Sequence, residues 1–404
     1  MADLELMREL TMTADTKIIL LVIDGLGGLP REPGGPTELE FAQTPNLDKL
    51  AREGMIGLSI PIAHGITPGS GPGHLALLGY DPVKYLIGRG VLESVGIGLE
   101  LTPDDVAARG NFCTVDENRV ITDRRAGRIP TEKCAELVKM LKPIKLPGVE
   151  VIVEPVQDYR FALILRGKGL ADKLSETDPQ KTGRKPLPVN ALDPEAQHTA
   201  DLANEWIAQA REILKNERPA NMVTLRGWAQ EPGLPKFEDI YKLRAAAIAV
   251  YPMYKGLASL AGMTLIQGLH HLDEQVEALR ANWNSYDFFF FHFKYTDSRG
   301  EDGNFEGKAA EIEKVDAVIP RILELVPDVL IVTGDHSTPA VWKAHSWHPV
   351  PTLLAARAPG LTRRNDVTGF GETECLKGAL GQFQATDLMP LALSYAKRMN
   401  KFGA

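Results

Sequence analysis

Three stretches of the chain are apolar almost without interruption, and each runs into an aspartate. Lys17–Ile23 ends at Asp24-Gly25, Tyr286–Phe293 leads into Lys294-Tyr295-Thr296-Asp297, and Val329–Val332 leads into Thr333-Gly334-Asp335-His336. Runs of this length and continuity predict strands buried on both faces of a parallel sheet. Ligands of open α/β sheets bind beyond the carboxyl ends of the strands, so three aspartates distant in sequence are expected to converge. Helical patterns alternate with these strands. Thr44-Pro45 opens a helix over 46–53 that Gly54 closes, with an N-cap residue, proline at the first helical position and a terminating glycine. Ile312, Val315, Ile319, Ile322 and Val326 recur at spacings of three and four, which predicts a helix with one buried face. Strand, helix, strand in that order predicts a crossover connection.

The middle of the chain has another texture. Between 101 and 245 lie candidate strands at Val149–Val153, Phe161–Leu165 and Met222–Leu225, a helical pattern from 194 to 217, and a polar Pro/Lys/Gly-rich stretch at 172–190. This mixture predicts an inserted α+β domain at 101–245. Residues 1–100 and 246–404 then form one discontinuous domain, with residues 1–16 as an N-terminal extension.

Composition narrows the function classes. The 404 residues carry a net charge of −8, which argues against an extended nucleic-acid surface but leaves room for a local basic pocket. Cys113, Cys134 and Cys375 are three and far apart, so a disulfide framework is not expected. The first sixteen residues lack the apolar core of a secretory signal, and no apolar run approaches the ~18–20 residues that span a bilayer. The expected setting is cytoplasmic, with a small-molecule substrate and neither nucleic acid nor membrane as partner; the sequence is silent on oligomeric state.

Candidate chemistry gathers at the strand ends. Asp335 and His336 are adjacent and His345 follows nine positions later. Each histidine alone reads as structural, but together with the other strand-end aspartates they predict a divalent-metal site. Ser70 sits in the glycine-rich turn Thr67-Pro68-Gly69-Ser70-Gly71-Pro72-Gly73, ahead of a helix-like apolar pattern. A helix N-terminus there would favour an anion, and the hydroxyl would need a base or a metal to become nucleophilic. No P-loop sequence is present.

In order, Asp24-Gly25, Gly69-Ser70-Gly71, Gly79-Tyr80-Asp81-Pro82, Gly88-Arg89-Gly90, Asp123-Arg124-Arg125-Ala126-Gly127-Arg128, Thr333-Gly334-Asp335-His336 and His345-Ser346-Trp347-His348-Pro349-Val350-Pro351 resemble the cofactor-independent phosphoglycerate mutases of the archaeal type. These belong to the alkaline phosphatase superfamily, and the resemblance runs from about residue 17 onward. It implies an alkaline-phosphatase-like α/β domain with a mostly parallel sheet, two divalent ions and an inserted domain that holds the substrate. One ion would take Asp24, the Ser70 oxygen, Asp335 and His336; the other would take Asp297, a histidine four residues later, and His345. Glu301 stands where that histidine is expected, and a carboxylate there would harden the site. Mn²⁺ is the expected ion, with Zn²⁺, Co²⁺ or Mg²⁺ as alternatives.

The implied reaction interconverts 3-phosphoglycerate and 2-phosphoglycerate through a phosphoserine at Ser70, with Asp123 as general acid and base. Glycerate must stay bound between the two transfers, which calls for cationic clamps. Arg124, Arg128, Arg184 and Arg226, with Lys255 near the domain junction, are the candidates. Closure of the insert, hinged near 100 and 245, would exclude water. Two other readings fit the same motifs: a phosphatase or phosphotransferase acting on another small phosphometabolite, and a metal-poor phosphometabolite-binding protein.

Overall fold

The computed structural model describes residues 3–358, 361–363 and 366–403. Its strands in chain order are β1 (Ile18–Ile23), β2 (Met55–Ile60), β3 (Asp105–Val115), β4 (Ile121–Asp123), β5 (Glu150–Gln157), β6 (Arg160–Arg166), β7 (Met222–Ala229), β8 (Ala245–Ile248), β9 (Thr264–Leu265), β10 (Phe288–Phe293), β11 (Val329–Thr333), β12 (Val350–Ala356) and β13 (Gly381–Gln384). They form two sheets, and the chain divides into two compact units, one of residues 1–86, 234–254 and 258–404 and the other of residues 87–233 and 255–257.

The first unit holds an eight-stranded sheet in the order β13-β2-β12-β11-β1-β10-β8-β9. Only β12 pairs antiparallel with its neighbours; the remaining pairs are parallel. The three apolar runs are thus the adjacent central strands β11, β1 and β10, in register from Ile18 opposite both Phe288 and Val329. All three are fully buried along their length. Ile19, Leu21 and Ile23 share a core with Phe289, Phe291, Leu330 and Val332, which Ile312, Val315, Ile319 and Ile322 cover from the helix Phe305–Leu323. Each such side chain contributes about 1.5–3 kcal/mol on burial, and alternation in a strand sends the remaining residues to the opposite, equally buried face. The helix Pro45–Glu53 starts after Thr44 and stops at Gly54, as its end signals predict. The expected N-terminal extension contains the helix Leu4–Leu10 and pairs Thr11 with Met399; residues 1–2 of that extension lie outside the described residues.

The second unit is α+β. Its antiparallel sheet runs β4-β3-β6-β5, with β7 also paired to β3. The helices Thr131–Leu141 and Gln197–Leu214 contribute Leu137, Leu141, Trp206 and Leu214 to a core shared with Phe112, Phe161 and Leu163. The expected limits of 101 and 245 need correcting to 87 and 233. Residues 87–100 join the second unit because the helix Arg89–Gly96 lies against β3: a Cβ at Gly90 would stand 2.3 Å from the Ala107 carbonyl oxygen. Residues 234–245 belong to the first unit, in which β8 extends the sheet beside β10. No helix among the described residues is long and apolar enough to cross a membrane.

Candidate active site

Because β1 lies between β10 and β11, the residues that follow them meet at one end of the sheet. Asp24 leaves β1 directly, Asp335 follows β11 by two residues, and Asp297 sits in the first turn of the helix Tyr295–Glu301 that follows β10. Asp24, Asp335 and His336 bring ligand atoms within 4.8 Å of one another, and so do Asp297, His336 and His345. His336 belongs to both groups. Its Nε2 is 3.1 Å from Asp335 Oδ2, 3.5 Å from Asp24 Oδ1 and 3.2 Å from Ser70 Oγ. His345 Nδ1 is 3.0 Å from the Pro68 carbonyl oxygen, to which it donates, leaving Nε2 3.5 Å from Asp297 Oδ1. The two imidazoles stack at 3.6 Å.

Ser70 is the first residue of the helix Ser70–Leu77 and is buried. Glycine at position 73 lets this helix approach the strand end, since a Cβ there would be 2.3 Å from the Asp335 carbonyl oxygen. One turn along, His74 Nδ1 lies 2.7 Å from the Ser70 carbonyl oxygen and 3.1 Å from Asp335 Oδ2. The serine and Asp335 are therefore held in register by a shared imidazole.

Charge in this pocket is dense. Burial and the neighbouring Asp335 carboxylate raise the Asp24 pKa, but the Lys294 ammonium and His292 outweigh them and leave it at about 2. His336 is disfavoured as a cation by burial, yet Asp335, with Asp297 and Asp24, pushes it up to about 9. His292, fully buried, is pushed down to about 4 by loss of hydration. Asp24 Oδ1 is buried and accepts no hydrogen bond among the described residues, and Asp335 Oδ2 is buried with only the His74 and His336 ring nitrogens near it, each at 3.1 Å. Buried carboxylate oxygens of this kind need a positive partner. The donor set of carboxylates, imidazole and a hydroxyl suits a divalent cation such as Mn²⁺ or Zn²⁺, so the residues present fit the implied ions.

Glu301 is exposed, at the last position of its helix, and belongs to neither group. Half-buried Lys294, given no role by the sequence, instead reaches both Asp24 Oδ2, at 3.1 Å, and Asp297 Oδ2. Sequence reasoning also missed Tyr254, whose hydroxyl donates to Asp24 Oδ2, and His292, stacked on Tyr254 at 3.7 Å with Nε2 3.5 Å from Asp24 Oδ2. The available signal was a lone histidine inside the otherwise aromatic run Phe288-Phe289-Phe290-Phe291-His292-Phe293, with lysine directly after it.

In the second unit, Asp123 ends β4 and accepts hydrogen bonds from the backbone N–H groups of Arg125 and Gly127 at 2.8 and 2.6 Å. Arg124 makes a two-point contact with Asp178, through Nε at 3.1 Å and Nη2 at 2.8 Å. Arg226 Nη1 approaches the same carboxylate at 3.8 Å, and its Nε donates to Glu176 at 3.0 Å. Arg184 is exposed and its carbonyl accepts from Ile121 N, at the start of β4. Arg128 is exposed two residues beyond Ala126 in the same turn, and Lys255 is half-buried. Asp178, a nearly buried carboxylate holding two arginines, had no motif to announce it.

Comparison with known proteins is consistent across the chain. Residues 51–221 match the family described as 2,3-bisphosphoglycerate-independent phosphoglycerate mutase. A protein of Thermus thermophilus named a probable mutase of that kind is 51% identical over 403 residues, covering 98% of each chain. One from Aquifex aeolicus, with the same name, is 47% identical and covers 99% of this chain and 100% of its own. Among solved structures, a protein from Pyrococcus horikoshii superposes with a TM-score of 0.83 at 30% identity, over 97% of this chain and 100% of that one. The cofactor-independent phosphoglycerate mutase of Thermoplasma acidophilum does so with a TM-score of 0.67 at 29% identity, over 94% and 100%. With an identity of half its residues along nearly its full length and the same α/β architecture, the chain belongs to the 2,3-bisphosphoglycerate-independent phosphoglycerate mutase family, a family of isomerases.

Proposed function

We propose that this chain interconverts 3-phosphoglycerate and 2-phosphoglycerate, with Ser70 as the transient phosphoryl acceptor. Two divalent ions, Mn²⁺ first among the alternatives, would be held by Asp24, Asp335 and His336 with Ser70, and by Asp297 and His345. One observation carries this reading: a buried serine hydroxyl at a helix N-terminus lies 3.2 Å from His336 Nε2, beside the buried carboxylates of Asp24 and Asp335, of which Asp24 Oδ1 accepts no hydrogen bond among the described residues. When bound, such ions supply positive charge at the phosphoryl oxygens and ease deprotonation of an attacking hydroxyl.

The protein's own groups do the remainder. Ser70 Oγ forms its bond to phosphorus as the bond from phosphorus to the substrate oxygen breaks, and the positive end of the helix favours the charge developing there. Asp123 gives a proton to the departing glycerate oxygen and takes one from the other hydroxyl, which then recovers the phosphoryl group from Ser70. Arg124, Arg128, Arg184, Arg226 and Lys255 retain the glycerate carboxylate between transfers. Asp178 holds the Arg124 guanidinium at two points, so that its plane is set before substrate arrives. Escape of glycerate would leave hydrolysis as the outcome.

Purified protein given 3-phosphoglycerate and Mn²⁺ should form 2-phosphoglycerate with little free phosphate, and mass spectrometry should find phosphate on Ser70. Ser70→Ala should lose about 10⁴-fold or more in turnover. Free phosphate as the main product would turn the reading to a phosphatase, and full activity in Ser70→Ala would remove the nucleophile.

A further inference from the structure

Beyond the groups that would touch ions or substrate, one buried hydroxyl stands between the two candidate ligand clusters. Thr338 is fully buried, and its Oγ1 is 2.8 Å from Asp297 Oδ1 and 2.9 Å from His336 Nδ1. A hydroxyl has one proton to give and lone pairs to receive with. An ionised carboxylate only accepts, so the Thr338 proton goes to Asp297. Oγ1 can then serve His336 only by accepting the Nδ1 proton. We propose that Thr338 is a positioning residue that sets the His336 tautomer, with the proton on Nδ1 and Nε2 facing Ser70 and Asp24, and that it ties Asp297 to His336 in one geometry. The inference rests on the proposed reading that Asp297 and His336 hold ions.

The surroundings are shaped to admit and grip this residue. A Cβ at Gly25 would lie 2.6 Å from Thr338 Oγ1, and a Cβ at Gly300 would lie 2.2 Å from the Thr338 carbonyl oxygen. Segments that follow β1 and β10 therefore carry glycine where they pass Thr338. The Thr338 backbone N–H donates to the Gly27 carbonyl at 3.0 Å. Fully buried Lys308 donates to both the Thr338 and the Gly27 carbonyl oxygens, at 3.0 and 2.9 Å. That ammonium pins both adjoining backbone segments, while the β-branched side chain has few χ1 states of its own. A partner hydrogen bond of this kind fixes both ring orientation and the nitrogen offered to a metal.

Three proteins separate the role from simple packing: wild type, Thr338→Val, which keeps the shape and removes the hydroxyl, and Thr338→Ser, which keeps the hydroxyl. Two readouts avoid turnover. Mn²⁺ affinity is measured by titrating chelator-treated protein, and the His336 tautomer is read in metal-free protein above pH 9, where the ring is neutral, from long-range nitrogen–proton NMR, the signal assigned by its loss in His336→Gln. Thr338→Val should weaken Mn²⁺ binding by about 10- to 100-fold and lose the fixed Nδ1–H form, while Thr338→Ser stays within about threefold of wild type. Unchanged Mn²⁺ affinity and an unchanged tautomer in Thr338→Val would overturn the proposal, as would a loss in Thr338→Ser equal to that in Thr338→Val. If wild type itself failed to bind Mn²⁺, the proposed function would fall, and the metal-free tautomer would still decide the role of Thr338.

Discussion

Asp24 and Asp297 share one ammonium, that of Lys294, and this makes Lys294 the most informative single side chain at the strand ends. Its Nζ is 3.1 Å from Asp24 and is paired with Asp297, and both carboxylates are buried. Removing the cation leaves two buried anions uncompensated, a change that typically costs about 3–5 kcal/mol. Lys294→Met should therefore destabilise chelator-treated protein by about that amount in urea denaturation, and added Mn²⁺ should recover much of the loss because it restores positive charge. An equal loss with and without Mn²⁺ would show that Lys294 acts through packing. The same logic separates His345 from Glu301. His345 Nε2 is 3.5 Å from Asp297 Oδ1, while Glu301 is exposed and outside both groups. His345→Ala is expected to weaken Mn²⁺ binding at least about tenfold, and Glu301→Gln to leave it within about twofold; the reverse order, read by calorimetry, would restore Glu301 as a ligand.

Elements differ sharply in how far their chemistry could be read in advance. The strands β1, β10 and β11 were legible because continuous apolar runs admit few alternatives, and their terminal aspartates meet because β1 pairs with both of the others. The helix Phe305–Leu323 followed from its three-and-four spacing as far as Ile322, whereas Val326, the last position of that pattern, lies beyond the helix end and is exposed. By contrast β3, the long strand on which the second unit is built, reads Asp-Val-Ala-Ala-Arg-Gly-Asn-Phe-Cys-Thr-Val, a mixture of small and polar residues whose burial comes from neighbours distant in sequence. The helix Arg89–Gly96 was assigned to the wrong unit for the same reason: nothing local says that Gly90 will press against Ala107. Tyr254, Lys294, Thr338 and Asp178 are legible only after pairing, since each acts on a residue that another element supplies. Gly73 belongs here too. Its Cβ would stand 2.3 Å from the Asp335 carbonyl oxygen, so Gly73→Ala must lift the Ser70 helix away from the strand end. A misplacement near 1 Å can cost about 10²-fold in rate, and mutase turnover should fall by that order while circular dichroism and melting stay close to wild type. Turnover within about twofold of wild type would mean that the helix relaxes without moving Ser70.

Across the whole molecule, stability should respond to pH and to metal through different groups. The Glu372 carboxyl accepts hydrogen bonds from Gly28 N and Thr37 Oγ1, but burial outweighs both and pushes its pKa up to about 7 from 4.5. The folded state then holds a proton that the unfolded chain releases. Glu372 therefore contributes fully below pH 4.5, its contribution falls as pH rises toward 7, and it is flat beyond. Wild type should lose melting temperature relative to Glu372→Gln across that window, and parallel pH profiles would refute the assignment. Metal acts through the strand-end carboxylates instead. Ions that bind only the folded state add about 2.7 kcal/mol at a hundredfold excess over Kd, and they do so where Asp24, Asp297 and Asp335 crowd together. Chelation should lower the melting temperature, reversibly with Mn²⁺, and hydrogen exchange should quicken at the carboxyl ends of β1, β10 and β11 and at the Ser70 helix. Strands β3 to β7, which carry none of these ligands, should keep their protection. Loss of protection confined to the second unit would place the ions there and remove the strand-end carboxylates from the metal site.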